Sequence, residues 1–308
     1  MQLDGVMPTV ALITSQYALT SPVDADREIT LIGDELARRG VTVRAIDWLD
    51  QTADYAACDL VVIKSPWDYA GRHDEFLDWL ARVEAVAEVV NPPEVIRWNM
   101  DKRYLGELTA LGVPACPTTY CAHVDEVRAA LAEASGRVVL KPNVSAASAD
   151  TGLFEAGDPA GVRLAEQILA AGKVVMIQPA IESVGRVGER SLIYFGDEFV
   201  HAIGKGPLLA LGGGLRGEQY QESIVKAHAP DDERALARQA LAVVERIFTD
   251  RGLAHVCPLL YARVDIARDA QDRPLLMELE LFEPSYFLDL APGAERLFVD
   301  CVMARLTP

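Results

Sequence analysis

The chain holds too few cysteines, too widely spaced, to build a metal or disulfide framework. The five, Cys58, Cys116, Cys121, Cys257 and Cys301, are odd in number and form no C-x-x-C pair. Zinc is therefore not expected, and reduced thiols in a cytoplasmic protein are. Long apolar runs are missing too. No uncharged stretch approaches the roughly 20 residues that span a bilayer, and no basic segment precedes an apolar one near the start. Neither a membrane partner nor a signal peptide is expected. Positive charge is scarce: Lys plus Arg number 29 against 46 Asp plus Glu, a net −17. Such a field repels phosphate backbones, which argues against a nucleic-acid partner. Any anionic ligand must be held by a few locally placed cations. No glycine fingerprint follows the first expected strand, and Gly212-Gly213-Gly214-Leu215-Arg216-Gly217 lacks the Gly-Lys-Ser/Thr of a phosphate loop. His123, His201, His228 and His255 have no serine or cysteine partner in a recognisable elbow, which removes a hydrolase triad.

What is present is enough apolar material for a large core. Half of the 308 residues are apolar, so two domains or one large one are expected. Strand and helix signals alternate over the first hundred residues. Short β-rich runs fall at 9–14, 41–46 and 60–63, with helical periodicity at 24–39 and 73–86. This predicts a parallel, doubly wound α/β layer. Val89-Val90 then runs into Asn91-Pro92-Pro93, a breaker that places a domain boundary near 91–100. Beyond it, helices are expected at 101–111, 124–134, 161–171 and 231–249. Strands are expected at 138–142, 174–179, 191–195, 199–203, 261–266 and 275–281. Gly196-Asp197 suits a hairpin turn between two of them.

Several charged residues sit where chemistry would need them. Glu278 and Glu280 share one face of the last strand, and hairpin pairing would bring Asp265 within reach. Carboxylates converging on one face suit a magnesium ion bridging nucleotide phosphates; a solvated strand face is the plainer alternative. There are only six lysines, and three stand out. Lys102 follows the boundary, Lys141 lies inside the apolar run Val138-Val139-Leu140-Lys141-Pro142, and Lys205 opens the glycine-rich stretch. An ammonium in such a strand is costly without an anionic partner, so phosphate contacts are expected, although surface lysines that snorkel would read the same way. Met176-Ile177-Gln178-Pro179 ends a strand, with Glu182 just beyond. Backbone groups there suit an adenine edge and the carboxylate suits ribose hydroxyls. Arg216 is either a phosphate clamp or a solvated side chain. Trp67-Asp68-Tyr69 follows the third strand at its carboxyl end, where ligands of open α/β sheets collect, unless the aromatics only pack an interface.

The order of these segments carries more than any one of them. It runs Asp101-Lys102, Leu140-Lys141-Pro142, Ile177-Gln178-Pro179 with Glu182, Gly188-Glu189-Arg190-Ser191, Arg263-Val264-Asp265, then Glu278-Leu279-Glu280 and Glu283-Pro284-Ser285. This resembles the ATP-grasp carboxylate–amine ligases over roughly residues 91–292. With Lys64-Ser65-Pro66-Trp67-Asp68-Tyr69 and His201-Ala202-Ile203-Gly204-Lys205, it is similar to the group that contains the O-ureido-D-serine cyclo-ligase closing D-cycloserine.

The resemblance implies an N-terminal α/β domain over 1–95 and a two-lobed ATP-grasp region over 96–308, with a lid at about 115–185. It implies ATP and Mg2+, an acyl-phosphate intermediate and a small amino-acid-like substrate. Lys102 and Lys141 would hold ATP phosphates, with Ser145 and Ser148 in the covering loop. Met176, Ile177 and Gln178 would face adenine and Glu182 the ribose. Asp265, Glu278 and Glu280 would be magnesium ligands, with Glu280 standing where the family commonly has Asn. Lys141, Lys205 and Arg216 would serve the transferring phosphoryl group. Trp67, Asp68, Tyr69, Arg190 and Glu283 would meet the substrate. An intermolecular ligase of the glutathione-synthetase or ribosomal-protein glutamate ligase type, and a synapsin-like ATP-binding protein without turnover, remain as alternatives. Nothing in the sequence specifies an oligomeric state.

Overall fold

A computed structural model describes residues 7–21, 25–146, 148–215 and 223–306. Among them no helix is long and apolar enough to cross a membrane. The first layer is the expected parallel sheet, built from β1 (Thr9–Thr14), β2 (Thr42–Asp47), β3 (Leu60–Ser65) and β4 (Val89–Val90) in the order β2-β1-β3-β4. Every residue of β3 is buried, as suits a strand covered on both faces. Helices α1 (Gln16–Thr20), α2 (Glu28–Arg38) and α3 (His73–Glu84) connect these strands.

The expected break falls between β4, which ends at Val90, and the helix that follows. Pro93 opens α4 (Pro93–Asn99), where its fixed φ and missing N–H suit a first helical turn. Then come α5 (Tyr104–Ala110), β5 (Thr119–Cys121), α6 (Val124–Glu133), β6 (Arg137–Pro142), β7 (Gly152–Glu155), α7 (Pro159–Ala170) and β8 (Val175–Pro179). The four strands form an antiparallel sheet in the order β5-β8-β6-β7. This segment encloses its own core, including Val127, Leu131, Leu140, Phe154 and Ile168.

The chain continues through α8 (Glu182–Val187), β9 (Glu189–Phe195), β10 (Glu198–Lys205), β11 (Ile224–Ala227), α9 (Asp231–Asp250), β12 (Tyr261–Arg268), β13 (Pro274–Glu280) and α10 (Ala294–Leu306). Its five-stranded antiparallel sheet runs β11-β10-β9-β12-β13. The outer edge of β13 is covered by side chains. Asn99 donates to Leu279 O (3.0 Å) and accepts from Leu281 N (2.8 Å), and Tyr104 Oη exchanges hydrogen bonds with Leu279 at 2.9 and 2.7 Å. Asn91, fully buried, donates to Tyr261 O and Leu281 O and accepts from Leu260 N.

The expected division at 95/96 does not separate cores. Val10, Leu12, Ile29 and Leu36 pack in one cluster with Ile193, Phe195, Tyr261, Phe298 and Val302, so α10 and the five-stranded sheet complete the first layer.

Candidate active site

Residues from both antiparallel sheets, with Trp67 from the segment after β3, line one cavity of about 1230 Å³. Strand alternation decides which side chains reach it. From β6 it receives Arg137, Val139 and Lys141, while Val138 and Leu140 go into the core beneath. From β12 and β13 it receives Arg263, Asp265, Glu278 and Glu280, with Arg263 opposite Glu280 and Asp265 opposite Glu278. The hairpin pairing expected for Asp265 is thus present. Glu189 and Lys205 join from the paired ends of β9 and β10. Gly188 is required there: with φ +81°, a Cβ would lie 1.7 Å from Lys205 O.

The floor interleaves cations and carboxylates. Lys205 Nζ donates to Asp265 Oδ2 (2.7 Å) and Glu189 Oε1 (3.2 Å). Arg263 forks onto both oxygens of Asp265 at 3.0 Å and also binds Glu280. Lys102 Nζ lies 3.2 Å from Glu278 Oε1 and donates to Ser145 O at 2.7 Å, which pins the loop after β6. Burial alone would raise the Asp265 carboxyl, but Arg263 and Lys205 outweigh it and hold it well below the usual range. At Glu278, too, Lys102 and Lys141 outweigh desolvation and draw the carboxyl below its ordinary value. Glu280 goes the other way. Its burial, reinforced by Glu283, Asp265 and Glu278 and only partly offset by Arg263, pushes it up to about 8. Burial also pushes Glu283 up to about 7. The site therefore crowds more carboxylate than its cations neutralise.

Among the described residues no three His, Cys, Asp or Glu side chains stand ready to hold a metal. Asp265, expected as a ligand beside Glu278 and Glu280, has both oxygens on cations, because Arg263 two residues earlier shares its strand face. The donor set still fits magnesium bound with a nucleotide. Such an ion commonly takes one or two carboxylates and completes its shell with phosphate oxygens and water, and Glu278 and Glu280 are half-buried hard donors facing the cavity.

Other expected residues are distributed unevenly. Lys102, Lys141, Ser145, Ser148, Gln178, Glu182, Lys205, Trp67 and Glu283 line the cavity. Met176 and Ile177 do not. β8 lies between β5 and β6, so both are buried and their backbones are spent on the two ladders; the stretch on the cavity is 178–182. Asp68 also lies off the cavity, accepting a hydrogen bond from Trp48 Nε1 at 2.7 Å. Tyr69 is buried behind the wall and donates to Glu283 Oε1 (3.0 Å), while Trp67 Nε1 donates to Glu283 O (3.0 Å). Arg190 points away because it alternates with Glu189, and it pairs with Glu233 on α9. Arg216 lies outside the described residues.

Arg263, Glu189, Ser285 and Phe287 line the cavity without having been assigned roles. Period two from Asp265 was signal enough for Arg263; nothing local marks Phe287. The described part of the glycine-rich stretch lies along β7, with Gly212 N and Gly213 N donating to Leu153 O at 2.8 and 3.2 Å. Its residues 206–209 close one side of the cavity.

Comparison with known proteins extends over nearly the whole length. Residues 10–91 match a family model described as the N-terminal domain of the D-cycloserine synthetase DcsG. The chain is 34% identical over 314 residues to the cycloserine biosynthesis protein DcsG of Streptomyces lavendulae, covering 98% of this chain and 100% of the relative. The crystal structure of a D-cycloserine synthetase DcsG superposes with a TM-score of 0.84 at 33% identity, covering 97% of this chain and 100% of that one. D-alanyl-alanine synthetase A from Vibrio cholerae O1 biovar eltor str. N16961 shares the fold at a TM-score of 0.67 and 15% identity, covering 98% of this chain and 99% of that one.

Proposed function

Since the chain belongs to the D-cycloserine synthetase family, we propose that it is an ADP-forming, ATP-dependent carboxylate–amine ligase that closes a small amino-acid-like substrate on itself, in D-cycloserine formation. The observation that carries this reading is the cavity floor, where Lys102, Lys141, Lys205 and Arg263 face Asp265, Glu278 and Glu280. A substrate carboxylate oxygen attacks the γ-phosphorus of ATP, ADP leaves, and an acyl phosphate results. A nitrogen of the same molecule then attacks the acyl carbon and loses its proton as inorganic phosphate departs; with O-ureido-D-serine, the carbamoyl group on that nitrogen is removed by water as carbon dioxide and ammonia, leaving the ring N–H.

The residues divide this work by position. Lys102 and Lys141 approach the phosphates from two sides, and Lys205 and Arg263 neutralise charge building on the transferring group. Residues 178–181 face adenine and Glu182 the ribose. Glu278 and Glu280 would hold magnesium, which when bound supplies charge neutralisation at the phosphates. Trp67 and Glu283 mark the substrate end, beside the parallel sheet. The segment 119–179, with its separate core, acts as the lid that keeps water from the acyl phosphate.

The test is ADP release by the purified protein with magnesium, ATP and O-ureido-D-serine. Release without any added amine supports the cyclising reaction. Release only with a second amino acid means an intermolecular ligase, and tight ATP binding without release on any carboxylate means a binding protein.

A further inference from the structure

Three polar side chains from three elements, Lys64 and His201 buried and Glu28 partly so, converge on one short stretch, 284–288. Lys64 on β3 is completely buried. Its ammonium lies 2.9 Å from Glu28 Oε2 and 3.4 Å from Asp26 Oδ2, donates to Pro284 O at 3.1 Å, and sits 4.6 Å from the centre of the Tyr286 ring. Glu28, the first residue of α2, accepts from Tyr286 N (2.9 Å) and Leu288 N (3.1 Å). His201 on β10 lies with Nε2 2.7 Å from Tyr286 O. Four backbone groups of one stretch are thus held from behind by polar side chains of the parallel layer and the five-stranded sheet.

The front of the same stretch lines the active site. Glu283, Ser285 and Phe287 line the cavity, whereas Pro284, Tyr286 and Leu288 are buried. Phe287 adopts a left-handed conformation (φ 54°, ψ 47°), which costs a residue with a Cβ on the order of 1–2 kcal/mol. The amides on either side of it are the two that Glu28 takes. A buried ion pair is seldom more stabilising than apolar packing of the same volume, but it fixes geometry. Here the fixed element is a strained turn that presents three side chains to the substrate.

We infer that Glu28 and Lys64 are positioning residues for the substrate end of the active site, setting Glu283, Ser285 and Phe287 against the amino-acid-like substrate while leaving the ATP end alone. The inference rests on the function proposed above. Neither residue touches the cavity, so any effect on catalysis passes through the turn.

Glu28→Gln is the gentler variant, because Lys64 keeps Asp26 and Pro284 O. Two readouts apply: steady-state kinetics, and amide hydrogen exchange of peptides covering 284–290. The expected result is faster exchange in those peptides and a KM for the carboxylate substrate raised at least about tenfold, with the KM for ATP within about twofold. Unchanged exchange, an unchanged substrate KM, or both KM values rising together would overturn the positioning role. Should Glu28→Gln fail to fold, the Asp26→Asn/Glu28→Gln/Lys64→Met triple, which strands no charge, carries the same two readouts. A wild-type protein that releases no ADP overturns the proposed function, and the positioning role with it; a wild type that turns over beside an unaffected variant overturns the positioning role alone.

Discussion

Replacing Lys141 by methionine separates a phosphate-binding lysine from a structural one. Lys141 lies on the cavity face of β6, and Glu278, whose carboxyl feels its charge, also has Lys102 at 3.2 Å. Removing Lys141 therefore leaves Glu278 with Lys102, and methionine keeps most of the side chain's length. Stability should change by no more than about 0.5 kcal/mol, the usual range for a substitution away from buried networks. ATP binding should change much more. Opposite charges about 4 Å apart interact by about 4 kcal/mol at an effective dielectric of 20, and the half-exposed position of Lys141 in a wide cavity lowers this toward about 2 kcal/mol. That is a loss of about 30-fold in affinity. Calorimetric titration of ATP with magnesium, beside urea denaturation, reads both quantities. An ATP affinity within about threefold of the parent, or a stability loss matching the affinity loss, would refute the assignment of Lys141 to phosphate binding.

Further outcomes follow from other parts of the structure. Glu278→Gln should abolish ADP release in magnesium while denaturation stays cooperative; near-normal turnover at saturating magnesium counts against its metal role. Asn91→Ala leaves two carbonyls and one amide buried without partners and should destabilise the fold by about 2–4 kcal/mol, read as a lower denaturation midpoint. Burial holds the His201 imidazole below its ordinary pKa, against the pull of its hydrogen bond to Tyr286 O. The unfolded chain then binds more protons, so the stability tied to His201 is intact above about pH 6.5 and falls as pH drops through the folded value. In His201→Gln, the loss of denaturation midpoint between pH 7.5 and pH 5 should be smaller than in the parent.

The sequence conveyed the fold most clearly where period and burial coincide. The apolar runs of β1 and β3, and the alternation that turns Lys141 and the pair Glu278 and Glu280 to one side, could be read directly. The helix α10 could not, because its apolar residues surround it rather than forming a stripe. Pro92-Pro93 marked the break between β4 and α4 but not the helix that follows, since proline stops a helix from its interior and starts one at the first turn. The reading of the site failed where a choice of strand face mattered. Glu189 rather than Arg190 reaches the cavity, and residues 178–182 rather than Met176 and Ile177, since pairing with two neighbours consumes the earlier backbone. Nor could local pattern show that Asp265 would be shared between Lys205 and Arg263, because Lys205 arrives from a strand sixty residues away.

The cover that Asn91, Asn99 and Tyr104 give to β13 bears on how the protein behaves in a crowd. A bare outer strand is a template on which another chain can lay its own backbone. Here, along 279–281, those backbone groups are already spent on side chains of the same molecule, so the hairpin carrying Glu278 and Glu280 offers no foothold for a stray strand. Loss of Asn99 would cost more than its two hydrogen bonds. Opening that edge would invite neighbouring molecules to pair with the very strands that form the active-site floor, and inactivation would then grow with protein concentration.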